Sequence, residues 1–335
     1  MSTIQAKTMR EMIAMFPDLM TRVAPRTEVI ERAQRVRDAG IGGVCLVGMG
    51  GSAIGGEICR AVLAPSAKVP ILTVKDYMLP ECVGANWVVV AVSYSGNTEE
   101  TVSAYEQAQS RGCRSFVVTT GGRLGDMADA ATLMRIPAGL QPRAALPLMM
   151  SVLYPLLLEL LGLEPFDAAA TADLVKSAFE EIVGSGRSPR VVAELLTDRI
   201  PLFVGWRHLS PVAYRAKCQV NENAKALALF AELPELDHNE IEACGLYNHR
   251  RVVPVVLRSA MEDGRAKKRA EATLRVIEDA GTVPIEIWGA GPSPVVEALA
   301  VTFFCDYVSL ELAEMRNVDS VAVHRISQLK RLMAD

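Results

Sequence analysis

Ser93, Ser95 and Thr98 place three hydroxyls within a short stretch, with Gly96 and Asn97 between them. They belong to VVVAVSYSGNTEET, residues 88–101, in which five apolar residues suit a buried strand and Glu99 and Glu100 open a helix. A strand that ends in small hydroxyl residues at a helix N-terminus suits an anion. The first amides of a helix have no intrahelical partner, and the helix dipole favours negative charge there. Phosphate, with three terminal acceptor oxygens, fits hydroxyls and amides together better than a carboxylate does. The plain alternative is a strand–turn–helix with a Ser or Thr cap. One hydroxyl would serve that purpose; three, with two small residues, exceed it.

A second cluster, GMGGSAIGG (residues 48–56), also follows a strand and opens a helix. Glycines there let backbone amides approach a ligand and adopt positive φ. A dinucleotide fingerprint can be forced from Gly48, Gly50 and Ala53, with Asp76 further on, so a nucleotide reading stays open on this motif alone. Paired with the hydroxyl cluster, it favours a sugar phosphate. Arg143, in GLQPRAALP, stands at the entry of an apolar helix, where a cation is electrostatically unhelpful. That argues for a positioned arginine over a solvated one. Glu222 lies in QVNENAKALA, and His238 follows sixteen residues later in ELDHNEIEA. A lone Glu or His is commonly a surface or structural residue. A carboxylate and an imidazole beside a sugar-phosphate site, however, suit proton transfer α to a carbonyl. Lys330, from its residue type alone, reads as a surface lysine.

The elements that must position these groups alternate. Strands are expected at 44–47, 71–74, 87–92, 115–119 and 133–136, with helices at 52–63 and 98–111 and an apolar helix after Arg143. The second half repeats the pattern, with strands at 201–205, 252–257 and 283–288 and helices at 211–227, 263–280 and 294–312. Residues 165–199 read as helical linkage, and an amphipathic helix at 321–332 closes the chain. Alternating strands and helices imply a parallel sheet with helices on both faces, and ligands beyond the carboxyl ends of the strands. VCLVGMGGS (44–52) and PLFVGWRHLS (201–210) occupy corresponding places, which indicates a duplicated unit. The second copy has Trp206-Arg207-His208 and Arg258-Ser259-Ala260-Met261 where the first has glycines and hydroxyls.

The chain has 335 residues, enough for two domains, with 50% hydrophobic and 22% charged residues. A net charge of −4 argues against a broad nucleic-acid surface. The run LPLMMSVLYPLLLELLGL (146–163) carries two prolines and a glutamate and reads as a buried helix, not a membrane span. Seven scattered cysteines without a CxxC pair fit a reducing cytoplasm, and no metal-ligand pattern is present.

GMGGSAIGG, SYSGNTEET, QPRAALP, NENAK and HNEI, in that order from residue 48 to 241, resemble the bifunctional phosphoglucose/phosphomannose isomerase family. A weaker match ends in Leu329-Lys330. The resemblance covers nearly the whole chain. It implies an α/β fold of two doubly wound parallel-sheet sugar-isomerase (SIS) domains related by internal duplication, here residues 1–164 and 165–335. It implies interconversion of glucose 6-phosphate, and also mannose 6-phosphate, with fructose 6-phosphate through a cis-enediol. By the same resemblance, Gly50, Gly51, Ser52 and Arg143 contact the sugar, and Ser93, Ser95 and Thr98 hold the phosphate. Glu222 is the base between C2 and C1, His238 assists ring opening, and Lys330 matches an active-site lysine. It further implies a homodimer with His238 donated across the interface, no metal and no organic cofactor, and no membrane or nucleic-acid partner. The family's Asp-Pro-Thr-Pro-Val before the last helix is replaced by Asp319-Ser320-Val321-Ala322-Val323, which bears on acceptance of the C2 epimer. Three competing readings are a non-catalytic sugar-phosphate-binding regulator, a glucosamine-6-phosphate synthase type of transferase and a nucleotide-binding oxidoreductase. The first would need a basic helix-turn-helix, which residues 1–40 do not show; the second an N-terminal cysteine, where this chain reads Met1-Ser2-Thr3.

Overall fold

The computed structural model describes residues 3–334. The chain divides into two compact units. The first holds Ala14–Ser177 with residues 3–7 and Ser293–Val296; the second holds Ala178–Pro292 with Thr8–Ile13 and residues 297–334.

In chain order, helices α1 (Met9–Ala14), α2 (Phe16–Met20) and α3 (Thr27–Asp38) precede the first sheet. Its strands are β1 (Gly43–Gly48), β2 (Ile71–Val74), β3 (Trp87–Val92), β4 (Arg114–Thr119) and β5 (Leu133–Arg135). Helix α4 (Gly50–Leu63) follows β1, α5 (Glu99–Ser110) follows β3, α6 (Gly122–Met127) follows β4 and α7 (Leu146–Leu161) follows β5. All pairings are parallel, in the order β2-β1-β3-β4-β5. Every residue of β1 and β3 is buried. Their sequences, GVCLVG and WVVVAV, lack polar alternation, as central parallel strands covered on both faces require. Helix α7 is apolar around nearly its whole circumference and packs on α2, α3 and α4, so its hydrophobicity is spent on core packing. Among the described residues, no helix is long and apolar enough to cross a membrane.

The second unit continues with α8 (Ala168–Ser185), most of whose length precedes the division, and α9 (Pro189–Leu196). Then come β6 (Ile200–Trp206), α10 (Ser210–Asn223), β7 (Leu229–Leu233), β8 (Val252–Arg258), α11 (Gly264–Asp279), β9 (Ile285–Trp288), α12 (Pro294–Met315) and α13 (His324–Ala334). Its four strands are parallel in the order β7-β6-β8-β9, the same order as the first four of the other sheet.

The main departure from the sequence reading is at 224–233. The expected helix to residue 227 ends at Asn223. Lys225 takes a left-handed φ of 52°, and Asn221 donates its side-chain amide to the Ala226 carbonyl at 2.8 Å. This turn reverses the chain into β7, a short edge strand pairing only with β6, which the helical pattern of the segment concealed.

Cys45, Cys59, Cys113, Cys244 and Cys305 are buried, Cys218 is half-buried and Cys82 is exposed. Burial pushes the Cys45 thiol up to about 12, and those of Cys59 and Cys305 higher still. Since the thiolate is the reactive form, a thiol reagent applied to native protein at neutral pH should modify Cys82 first and leave Cys45, Cys59 and Cys305 intact until unfolding. Peptide mass mapping reads the order; early labelling of Cys59 or Cys305 would contradict this core.

Candidate active site

In the first sheet the chain moves to one side after β1 and to the other after β3, so the strand order reverses between these neighbours. In open parallel sheets ligands bind at such a switch point, beyond the carboxyl ends of the strands. Gly48 of β1 pairs with Val92 of β3, so the glycine cluster and the hydroxyl cluster leave the sheet side by side.

Thr98 stands at the N-cap of α5, yet its side chain makes no cap hydrogen bond. Its hydroxyl lies 2.9 Å from Ser93 Oγ instead. The capping alternative therefore does not account for Thr98, and the first amides of α5 are not satisfied by it. Ser93 is buried at 1% exposure, and its Oγ also accepts from Gly96 N at 3.1 Å. Ser95 is exposed, and its Oγ accepts from Asn97 N at 3.3 Å. Ser93 thus braces the turn, with Thr98 half-buried against it and Ser95 exposed, at the start of α5.

Neighbouring backbone clamps this turn. Gly96 has φ of 72°, and a Cβ there would lie 1.7 Å from the Gly121 carbonyl oxygen. Gly122, with φ of 64°, would put a Cβ 2.5 Å from the Ser95 carbonyl oxygen. Leu124 N donates to Gly96 O at 3.0 Å and Arg123 N to Asn97 Oδ1 at 2.9 Å.

Tyr94 joins the hydroxyl turn to the other predicted groups. Its amide donates to Ser52 Oγ at 3.2 Å, in the first turn of α4. Its phenol donates to Pro137 O at 3.2 Å and accepts from Leu140 N at 3.0 Å, fixing the segment that leads to Arg143. Burial raises the Tyr94 pKa, so this hydroxyl stays protonated and can keep donating. Arg143 is 3% exposed, in a 3-10 turn at Pro142–Ala144, and its Nη1 donates to Gln141 Oε1 at 3.3 Å. Gly51 lies against that turn: a Cβ at Gly51 would be 2.9 Å from Pro142 O and 3.1 Å from Arg143 Cα. Gly50 has φ of 52°. The expected turn at Gly50 and Gly51 is already helical, forming the start of α4. The structure therefore brings Gly51, Ser52, Ser93, Ser95, Thr98 and Arg143 into one neighbourhood. Nothing in its sequence marked Tyr94, beyond its place between two serines.

Glu222, His238 and Lys330 lie in the second unit on three separate elements. Glu222 is half-buried in the last turn of α10, where its carbonyl accepts from Lys225 Nζ at 2.6 Å. A polar ladder holds α10 to α12. Arg215 grips Asp306 with Nε at 3.1 Å and Nη2 at 2.6 Å, both side chains 3% exposed or less. Gln219 Nε2 donates to Asp306 Oδ1 at 2.9 Å, and Asn223 Nδ2 to Ser309 Oγ at 2.9 Å. Arg215, Gln219 and Asn223 recur every four residues and so form one stripe, which leaves Glu222 beside the bolted edge. The signal for this ladder was present as Asp306 and Ser309 among the apolar residues of FFCDYVSLEL in α12.

His238 ends a 3-10 turn at Glu235–His238 and is exposed. The turn is anchored on both sides: Leu236 is 1% exposed, and Asp237 accepts from Thr273 Oγ1 at 2.7 Å and Arg269 Nη1 at 2.9 Å. Lys330 is exposed on α13, beside exposed Leu329 and Leu332. Upstream, Asp319 accepts from the amides of Val321 and Ala322, and these bonds hold its carboxyl below the usual range.

Two units of parallel sheet with the same strand order, the first carrying hydroxyls and a helix start without a side-chain cap at its switch point, define a doubly wound α/β class, and a family model matches the second unit. Residues 187–333 match the bacterial phospho-glucose isomerase C-terminal SIS domain. The chain is 34% identical over 292 residues to a bifunctional phosphoglucose/phosphomannose isomerase of Aquifex aeolicus, covering 86% of this chain and 89% of that protein. It is 33% identical over 305 residues to the protein of the same description from Caldicellulosiruptor bescii, covering 87% and 89%. The fold also matches the crystal structure of tagatose-6-phosphate ketose/aldose isomerase from Escherichia coli, with a TM-score of 0.71 at 15% identity over 96% of this chain and 98% of that one. The chain belongs to the bifunctional phosphoglucose/phosphomannose isomerase family, and it is an isomerase.

Two variants check the supports described above. Gly96→Ala should destabilise the protein by more than about 1 kcal/mol, because neither its φ nor its contact with Gly121 tolerates a methyl group. A wild-type urea midpoint would show the clamp to be slack. Arg215→Ala should cost about 3–5 kcal/mol by stranding the Asp306 carboxylate, whereas Arg215→Met with Asp306→Leu should recover much of it. Equal losses in the single and double variants would mean that the ion pair is not what holds α10.

Proposed function

We propose that this isomerase takes hexose 6-phosphates and interconverts glucose 6-phosphate, and with it mannose 6-phosphate, with fructose 6-phosphate. One observation supports the phosphate assignment most directly. Thr98 occupies a helix N-cap without capping, beside Ser93 and Ser95, at the switch point of a parallel sheet. Phosphate oxygens accept from Ser95, Thr98 and the first amides of α5, with the helix dipole adding to the attraction. The relatives, bifunctional phosphoglucose/phosphomannose isomerases, are named for this substrate class.

On this reading Glu222 removes the proton from C2 of the opened aldose and returns it to C1, passing through a cis-enediol. A carboxylate suits this step because it can accept and redeliver the same proton. The buried Arg143 guanidinium steadies negative charge as it develops on the oxygens of the enediol, at little reorganisation cost since Gln141 and the 142–144 turn already fix it. His238 assists ring opening. Its exposure on an anchored turn supports a role toward a second copy of the chain, in a homodimer. Lys330, exposed on α13, contributes to substrate binding from the C-terminal helix. No metal or organic cofactor enters any step.

Glu222→Gln should lower kcat at least about 10²-fold without unfolding the protein. Near-normal turnover in this variant would remove Glu222 from the mechanism. Ser95→Ala should chiefly raise KM, since phosphate is bound equally in ground and transition states. An unchanged KM would tell against the phosphate assignment. Binding of fructose 6-phosphate without exchange of solvent tritium into C1 or C2 would replace the isomerase mechanism with sugar-phosphate binding alone.

A further inference from the structure

The second unit has its own switch point, between β6 and β8, and polar side chains fill it. Ser259 follows β8 as Ser93 follows β3, and His208 comes three residues after Gly205 as Gly51 comes three after Gly48. Glu297, from the first turn of α12, sits among them with 0% exposure. One carboxylate oxygen accepts from Ser259 Oγ at 2.5 Å and lies 2.6 Å from His208 Nε2; the other accepts from Ala260 N at 2.9 Å. Gly289 makes the space, since a Cβ there would come within 2.6 Å of Glu297 Cγ. The neighbouring helix start is closed as well. Asp263 caps α11, accepting from Ala266 N at 2.8 Å and Arg265 N at 3.1 Å, which Thr98 does not do for α5.

We infer that the second unit retains a closed copy of the anion cradle, in which the carboxylate of Glu297 takes the place of a ligand's phosphate. The inference rests on the phosphate reading of the first unit for its analogy, while its donors are observed independently. A strand-end hydroxyl, a strand-end amide and a ring nitrogen converge on one buried anion, and the chain supplies that anion itself. A buried carboxylate without such partners would be strongly disfavoured. With them it competes with any external anion at the effective concentration of a tethered group. Each chain therefore takes a phosphorylated ligand at one cradle only, and removal of the tethered carboxylate opens the other to an inorganic anion of similar size and charge.

Equilibrium dialysis of the full-length protein with radiolabelled inorganic phosphate tests this. Wild type should bind one phosphate per chain and Glu297→Ala two, with Ser259→Ala added to Glu297→Ala weakening the second. No binding to wild type with one phosphate on Glu297→Ala would uphold this inference and remove the phosphate reading of the first cradle. Equal stoichiometry in the two proteins, or two phosphates on wild type, would overturn it. If Glu297→Ala is recovered only unfolded, refolding in phosphate or formate should restore native yield above chloride of equal ionic strength; no gain from either anion would overturn the inference too.

Discussion

Arg215 and Asp306 meet where water has almost no access, on the facing sides of α10 and α12. Apolar packing alone is nondirectional and would let α10 rotate or slide against α12 at small cost. Two charge-assisted bonds, extended by Gln219 and Asn223, select one rotation and one register. Desolvating both ions offsets much of their attraction, so the pair contributes geometry more than net stability. The carboxylate proposed as the base sits one position from the end of that ladder, and its placement depends on the ladder holding. The left-handed turn at Lys225 then stops the helix immediately beyond it, so Glu222 occupies a helix end that is braced from within and sharply terminated.

The two sheets share one strand order and carry different side chains at their strand ends. Both units have a glycine where the first strand meets its helix, and both have a serine after the third-placed strand. In the first unit the helix that follows is left uncapped and a turn of small residues lies over it. In the second, acidic side chains from within the chain satisfy the same kinds of donor. Strand order alone therefore does not distinguish the two units; the state of the helix start and of the strand-end hydroxyl does.

Much of this was legible in the amino-acid order. Continuous apolar runs such as WVVVAV announced central parallel strands, and hydroxyl and glycine clusters announced the strand ends at the switch point, because both depend on local chemistry. Strand β7 was not legible: LFAEL follows a helix without Gly or Pro to mark the break, and only the Asn221 amide and the backbone of Lys225 reveal it. The Arg215–Asp306 ladder escaped for another reason. Its partners lie 91 residues apart, and no local pattern couples them. Tyr94 carried no mark in the sequence beyond its place between two serines, whereas its backbone and its phenol serve three segments at once.

That tyrosine has an evolutionary consequence. Its amide reaches the start of α4, its hydroxyl reaches the segment before Arg143, and its own neighbours form the hydroxyl turn. One residue thereby ties the hydroxyl turn to the start of α4 and to the segment before Arg143. Neither segment can therefore drift in a descendant independently of the hydroxyl turn. Moving either one would require replacing Tyr94 together with its partners Ser52, Pro137 and Leu140, a coordinated change that keeps the three segments together through divergence.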